Sequence, residues 1–344
     1  MTFRKLQKYC LLGLTISLFG TATTIHAERD HKTLVVTSSN AAKNELLVYN
    51  SDGELIQTLS TQGKGGASGN AGGIEADRNV VAVVNFGSQS VSMFERGDDG
   101  FHLAQLVPTA SSPVSVAFGV DHLYILGTTT VESHRMFGSD VSSSSDGVVT
   151  LLKADGSSAQ VGVLPNQLII TEKSNMIETV NLLPGGAVSG VPTLVQNIPS
   201  NVNAPFGLVT RGNDAFVTIA HADEISLVRN GTVLTITGSG TQHAPCWVAL
   251  VGPFLFSSNS PSETVSRFAV YGQKIVQDAA VAATFNGSPT DIASGEGLVV
   301  VIDGNGPLSH LSIFTVDEDG NLTLRIADTI NGPANGIAVV RGED

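Results

Sequence analysis

A short pattern recurs along this sequence every 40 to 46 residues or so, and it constrains the fold more than any other feature. Its clearest copies place a proline shortly before an apolar residue and a small one, at residues 113–117, 204–209, 244–249, 288–293 and 332–338. A copy without proline lies at 72–76. The double gap between Val116 and Leu208 predicts a weaker copy near Val161. Seven copies of this length predict an all-β, seven-bladed β-propeller with four strands per blade.

Short strands joined by tight turns explain the remaining composition. The chain has 37 glycines and 42% hydrophobic residues, and few of its windows carry a helical stripe. Asp or Asn followed by Gly tolerates the positive φ of a tight hairpin. We expect such pairs to lead from the third to the fourth strand of a blade at residues 52–53, 99–100, 155–156, 230–231 and 319–320.

The two ends of the propeller should share one blade. The last copy of the pattern, at 333–340, offers only a first strand, whereas residues 34–37, 46–49 and 55–59 supply a second, third and fourth strand. Pairing these segments would close the ring and remove an exposed sheet edge. A two-sheet sandwich is the alternative fold, but it gives no reason for the repeat.

The first 27 residues have the features of a cleavable signal peptide. Arg4, Lys5 and Lys8 precede an apolar stretch of roughly 11 residues, well short of the ~20 that span a bilayer. Residues 25–27, Ile-His-Ala, supply a cleavage site. We therefore expect a single domain at 28–344 that is secreted or periplasmic and not inserted in a membrane.

Charge and cysteine content exclude several classes of protein. A formal net charge of −13 argues against binding to nucleic acid or to an anionic membrane surface. Of the two cysteines, Cys10 lies in the predicted signal peptide, so Cys246 has no partner for an internal disulfide. We expect a monomer stabilised by a large core.

Three segments resemble the lactonase family of seven-bladed propellers, which includes 6-phosphogluconolactonases and carboxymuconate-lactonizing enzymes. They are residues 83–94 (Val-Val-Asn-Phe-Gly-Ser-Gln-Ser-Val-Ser-Met-Phe), 168–177 (Leu-Ile-Ile-Thr-Glu-Lys-Ser-Asn-Met-Ile) and 204–208 (Ala-Pro-Phe-Gly-Leu). The resemblance implies a lactone or sugar-derived substrate and a hydrolase or lactonizing cyclase. Family members tend to carry a histidine after the proline of a strand start, but here Val114, Phe206 and Cys246 stand at those positions.

Candidate site residues lie in the loops that a propeller gathers on one face. Hydrolysis of a lactone needs a base to activate water and a group to polarise the carbonyl. We expect Glu172 or His221 as the base and His243 or a bound cation as the polarising group. Substrate contacts are predicted for Asn85, Asn175 and Asn259, and for Arg135 on a long loop at 127–147, which is either a lid or a flexible serine-rich insertion.

Other interpretations of the same loops stay open. Asn and Asp side chains commonly bond to the backbone of turns, so these residues could be purely structural. Calcium could be held by oxygen ligands from several blades, namely Glu172, Asn85, Asn203 and Asp303, although no local spacing predicts a metal site. A non-catalytic propeller that binds a protein or glycan at this face is the alternative function.

Overall fold

The second strand of each blade is a nearly continuous apolar run, because neighbouring blades cover both of its faces. All six residues are buried in Val80–Asn85, in His122–Gly127 and in Asp214–Ile219. Strands that are covered on both sides lose the alternation of apolar and polar residues that a half-exposed sheet shows. The outer strands do alternate, as in Thr232–Gly238, because one of their faces meets water.

We describe the fold from a computed structural model, which describes residues 33–198 and 204–342. Its strands, numbered in chain order, form seven antiparallel sheets around a central channel, which confirms the predicted seven-bladed propeller. Blade one contains β1 (Leu34–Ser38), β2 (Glu45–Asn50), β3 (Leu55–Ser60) and β29 (Asn335–Val340). Blade two contains β4 (Ile74–Asp77), β5 (Val80–Asn85), β6 (Ser90–Gly97) and β7 (Gly100–Pro108). Blade three contains β8 (Pro113–Phe118), β9 (His122–Gly127), β10 (Thr130–Phe137), β11 (Asp140–Val141) and β12 (Gly147–Thr150).

The other four blades follow the same order. Blade four contains β13 (Ser158–Leu164), β14 (Gln167–Glu172), β15 (Met176–Leu182) and β16 (Val188–Leu194). Blade five contains β17 (Pro205–Arg211), β18 (Asp214–Ile219), β19 (Glu224–Arg229) and β20 (Thr232–Gly238). Blade six contains β21 (Pro245–Val251), β22 (Phe254–Asn259), β23 (Thr264–Tyr271) and β24 (Lys274–Thr284). Blade seven contains β25 (Ser288–Gly295), β26 (Leu298–Asn305), β27 (Leu308–Val316) and β28 (Leu322–Asn331).

The ring closes through blade one, as the sequence predicts. Strand β29 pairs antiparallel with β1, with Val36 opposite Ala338. Thr37 Oγ1 also donates to Gly336 O at 2.7 Å. The weaker repeat expected near Val161 is β13. The innermost strands of adjacent blades therefore contact one another around the whole channel.

Four of the five predicted hairpin turns join the third and fourth strands of a blade. Their glycines have positive φ, for example +79° at Gly53 and +104° at Gly100. The pair Asp155-Gly156 is an exception, because it lies between β12 of blade three and β13 of blade four. Gly156 still needs its positive φ of +83°, but for the connection between blades.

The predicted signal peptide, residues 1–27, lies outside the described residues. Among the residues that the structure describes, no helix is long and apolar enough to cross a membrane. The described helices are two single turns of 3-10 helix, at Phe86–Ser88 and Ala220–Ala222.

Candidate functional site

Two kinds of connection meet on one face of the ring, which we call the loop face. The first kind joins the second strand of a blade to its third, and the other joins one blade to the next. Both lie at the end of the channel where the innermost strands begin. The loop face therefore holds most of the residues that the sequence singled out.

His243 and Asp223 form a solvent-accessible pair on the loop face. His243 precedes blade six, Asp223 ends the 3-10 turn of blade five, and His243 Nδ1 lies 3.0 Å from Asp223 Oδ2. Their side chains are 67% and 40% exposed. Ala244 N donates to Asp223 Oδ1 at 2.7 Å, which fixes the carboxylate from its other side. An imidazole held by a carboxylate through Nδ1 keeps Nε2 free to accept a proton.

The surroundings of Asp223 keep it ionised. Partial burial acts to raise its pKa, but hydrogen bonds from Ala244 N and His243 outweigh burial, and His221 adds a smaller effect. The pKa of Asp223 therefore lies below its ordinary value. The structure thus places His243 in contact with Asp223, and His221 close enough to lower the pKa of that carboxyl group slightly.

Glu172, the other predicted base, is fully buried at the end of β14. Ser157 Oγ donates to its Oε2 at 3.4 Å, and its Oε1 has no hydrogen-bond partner other than the carboxyl group of Glu178. Burial raises the pKa of Glu172, and the carboxylate of Asp155 adds to the rise. A substrate on the loop face does not reach this carboxyl group in the structure.

The three predicted substrate-binding asparagines bond to the protein itself. Asn85 accepts from Thr61 Oγ1 at 2.8 Å, and Asn259 donates to Ser266 Oγ at 2.9 Å. Both are fully buried at the ends of second strands. Asn175 Oδ1 accepts from Ala204 N at 3.0 Å and so fixes the start of the next blade. Asn175 is exposed, which leaves it the most accessible of the three.

The predicted lid at 127–147 is not a loop. Strand β10 covers most of its first half, and β11 folds back on β10. Arg135 pairs with His122, at the end of the blade opposite the loop face, and its guanidinium lies 5.9 Å from the ring of Phe137. The prediction that Arg135 reaches the loop face is therefore wrong, because the strand runs on where a loop was expected.

The side chains proposed as calcium ligands make other contacts where the structure describes them. Asp303 Oδ2 lies 3.0 Å from His310 Nδ1, while Asn203 lies outside the described residues. Within the described part of the chain, no three His, Cys, Asp or Glu residues are grouped so that they could hold a metal ion.

Lys173 is a loop-face residue that the sequence reasoning missed. Its Nζ donates to Gly69 O at 2.5 Å and lies 5.9 Å from the centre of the Phe206 ring. Burial lowers the pKa of Lys173. The sequence feature that could have identified Lys173 is its position beside Glu172 in a second-to-third loop, because a lysine there can offer a cation to a substrate.

Two carboxyl groups on the channel wall were also missed. Glu75 lies on β4 and Asp291 on β25, the innermost strands of blades two and seven. Burial raises the pKa of Glu75 to about 7, with a further contribution from Asp77. Burial raises the pKa of Asp291 to about 8, and the charge of Glu75 adds to this. The sequence feature that could have identified Glu75 and Asp291 is a charged residue within the first strand of a blade.

Comparison with known proteins gives matches in structure only. No protein-family model and no curated protein sequence matches the chain. Similar solved structures include a functionally unknown protein from Desulfotomaculum acetoxidans, with a TM-score of 0.68, 13% identity and coverage of 91% of this chain and 100% of that chain. A periplasmic gluconolactonase from Pseudomonas aeruginosa has a TM-score of 0.66, 15% identity and coverage of 90% and 99%.

A third structure is a candidate 6-phosphogluconolactonase from Bacteroides fragilis, with a TM-score of 0.65, 14% identity and coverage of 93% and 100%. At these identities the matches demonstrate a shared fold. The resemblance that the sequence motifs suggest is thus matched by the architecture: the chain is similar to lactonase-type seven-bladed propellers.

Proposed function

We propose that this chain hydrolyses lactones at the loop face, outside the cytoplasm, with His243 as the general base. The observation that carries the proposal is the 3.0 Å contact between His243 Nδ1 and Asp223 Oδ2 on an exposed imidazole. Similar folds described as a gluconolactonase and a candidate 6-phosphogluconolactonase support the choice of substrate class. Fold alone does not specify chemistry, so the pair of side chains carries the argument.

The proposed reaction needs two proton transfers, one from water to His243 and one from His243 to the ring oxygen of the lactone. His243 Nε2 takes a proton from water as the water oxygen attacks the carbonyl carbon of the lactone. The ring C–O bond then breaks, and the departing ring oxygen receives the proton from Nε2. Asp223 stabilises the imidazolium that forms in between, because it is ionised and fixed by Ala244 N. Lys173, in the second-to-third loop of blade four, supplies a cation on the same face to polarise the carbonyl.

Replacement of His243 by Gln should abolish most turnover. The assay is proton release by the purified protein on neutral sugar lactones and on aliphatic γ- and δ-lactones. We expect His243→Gln to lower kcat by about 100-fold or more, the usual contribution of a general base. Asp223→Asn should also lower kcat, while its Oδ1 can still accept from Ala244 N. His102→Gln is the matched control, since His102 on β7 is an exposed histidine 3.8 Å from Glu95 and far from the loop face.

Glu172→Gln separates the two candidate bases. Because Glu172 is buried, we expect this variant to keep kcat within about twofold of the wild type. A large loss in Glu172→Gln with none in His243→Gln would reverse the assignment. Absence of turnover on every lactone would overturn the proposed function and favour the alternative, a propeller that binds a protein or glycan.

A further inference from the structure

A glycine-rich segment covers the loop-face mouth of the channel. This segment, residues 65–73, is called the plug below. Its beginning is held by Asn40 of blade one, whose Oδ1 accepts from Gly66 N at 2.7 Å and from Ala67 N at 3.0 Å. Asn40 Nδ2 donates to Ala67 O at 2.8 Å. Three hydrogen bonds at the base of the plug therefore depend on one side chain.

The far end of the plug reaches the opposite side of the ring. Trp247 Nε1 of blade six donates to Asn70 O at 2.9 Å. Ala71 N donates to Ala159 O of blade four at 3.1 Å. Blade four lies across the ring from blade one, and blade six lies two blades away from it, so the plug passes over the mouth of the channel.

The plug is attached by hydrogen bonds more than by apolar packing. Its buried side chains are those of Ala67, Asn70 and Ala71, which offer little apolar area. The strands beneath it are anchored by rows of buried Val, Ile and Leu. Segments with few buried apolar contacts open at a lower free energy than core strands do. The plug can thus move while the ring stays folded.

Beneath the plug, the channel holds a cavity of about 280 Å³. Among the residues that line it, Glu75 and Asp291 are the charged ones, and Trp247 forms part of the wall. The innermost strands carry three further titratable groups, Asp77, Cys246 and Arg211, outside this lining. Arg211 donates to Gly252 O at 3.2 Å and covers the Phe216 ring, away from the cavity. The cavity therefore gains negative charge as Glu75 and Asp291 ionise, at about pH 7 and above.

We infer that residues 65–73 are a movable plug, and that the channel beneath admits cations and neutral molecules in preference to anions. Opening breaks the hydrogen bonds of the plug to Asn40, Trp247 and Ala159. It also breaks those of Asn70 Nδ2 to Val114 O, of Val116 N to Gly72 O and of Lys173 Nζ to Gly69 O. A molecule that enters then meets Glu75 and Asp291 with no basic side chain on the described wall to balance them. A small polyhydroxylated or cationic ligand fits this chemistry, whereas a phosphorylated or carboxylated one would be repelled.

Fluorescence of Trp247 tests the plug directly, because it is the only tryptophan in the chain. The indole is 8% exposed and bonded to the plug, so acrylamide should quench it weakly in the wild type. Asn40→Gly removes the three hydrogen bonds but keeps the left-handed backbone of φ +51° at this position. We expect the quenching constant to rise about threefold in this variant. Asn230→Gly, at a hairpin turn with φ +51°, is the matched control and should not change it.

A second variant keeps the test valid if Asn40→Gly does not fold. Lys173→Met removes the contact of Nζ with Gly69 O at the far end of the plug. It should also raise acrylamide quenching, with far-UV circular dichroism unchanged. Quenching that stays at the wild-type level in folded forms of the variants would overturn the movable plug.

Charged quenchers test the selectivity of the channel. In the opened variants, caesium ions should quench Trp247 more than iodide does. The difference should grow between about pH 5.5 and about pH 9, because Glu75 and Asp291 ionise over that interval. Lys173→Met is the better background here, since it removes the titratable cation nearest the mouth. Asp291→Asn should reduce the preference for caesium. Equal quenching by the two ions, or a preference for iodide, would overturn the cation-selective channel.

The plug inference does not depend on lactone hydrolysis. The fluorescence experiments need no substrate, so they can succeed where the lactone assay fails, and the reverse also holds. His243→Gln should leave quenching of Trp247 unchanged, because the His243 side chain makes no hydrogen bond to the plug.

Discussion

Glu178→Gln is expected to stabilise the protein at about pH 8 by about 2 kcal/mol and to change its stability little at about pH 5. Glu178 lies on β15 and is fully buried. Its Oε2 accepts from Leu152 N at 3.0 Å, and its other oxygen has no hydrogen-bond partner except the carboxyl group of Glu172. Burial, with a smaller contribution from Glu172, raises the pKa of Glu178 to about 7. The two buried carboxyl groups therefore share a proton at low pH.

The direction of the pH effect follows from which state binds that proton more tightly. The raised pKa means that the folded protein holds the proton of Glu178 more tightly than the unfolded chain does. Between the ordinary pKa of a glutamate and about 7, stability falls as the pH rises. Above that range Glu178 is ionised in a buried site beside the carboxyl group of Glu172, and charge there is costly. Gln at position 178 can still accept from Leu152 N and donate to Glu172, without the second charge.

Thermal unfolding over a pH series measures this effect. The wild-type Tm should fall as the pH rises from about 5 to about 8, and Glu178→Gln should exceed it by roughly 5 °C at the upper end. Glu318→Gln, at an exposed position in a hairpin, is the control and should follow the wild type. A variant that is less stable than the wild type at pH 8 would show that the ionised Glu178 carboxylate is not destabilising there.

The architecture could be predicted from the sequence because every blade repeats the same local requirements. The copy near Val161 was located from spacing alone, and β13 lies there. The prediction was wrong where one sequence pattern occurs in two structural contexts. Asp155-Gly156 suits any tight turn, and the sequence does not show that it joins two blades. Strand β10 (Thr130–Phe137) was hidden within the predicted loop at 127–147, because polar residues such as Arg135 occur in loops and in strands alike.

The candidate site was harder to predict, because its contacts join residues from different blades. His221, His243 and Asp223 could each be placed on the loop face, but the contact of His243 with Asp223 depends on how the connection between blades five and six folds back. Burial of Glu172 was not visible either. A glutamate at a strand end is usually solvated, but Glu172 is fully buried beside Ser157, which lies in the connection between blades three and four. Glu75 and Asp291 line the same cavity only because β29 joins blades seven and two.

Removal of β29 should abolish folding of the whole ring. A chain that ends at Ala334 keeps the other strands but leaves β1 without its inner partner. The missing strand carries the buried residues Ile337, Ala338 and Val340. Burial of each Val or Ile side chain contributes roughly 1.5–3 kcal/mol. Added to the lost hydrogen bonds, the cost is about 5 kcal/mol or more, which is comparable to the stability of many proteins.

Removal of β29 destabilises the protein more than the lost buried area suggests, because β29 joins the two ends of the ring. Without β29, blades seven and two lose the contacts that join them across blade one, and β1 offers an unpaired edge to other chains. We therefore expect aggregation, or a chain without a cooperative unfolding transition in calorimetry. A chain that ends at Val340 is the control and should keep its Tm within about 3 °C, because the residues beyond it are not part of β29. A chain that ends at Ala334 and is still soluble and unfolds cooperatively would show that the ring does not need the pairing of β29 with β1. The stability of the ring would then come from the contacts between neighbouring blades alone.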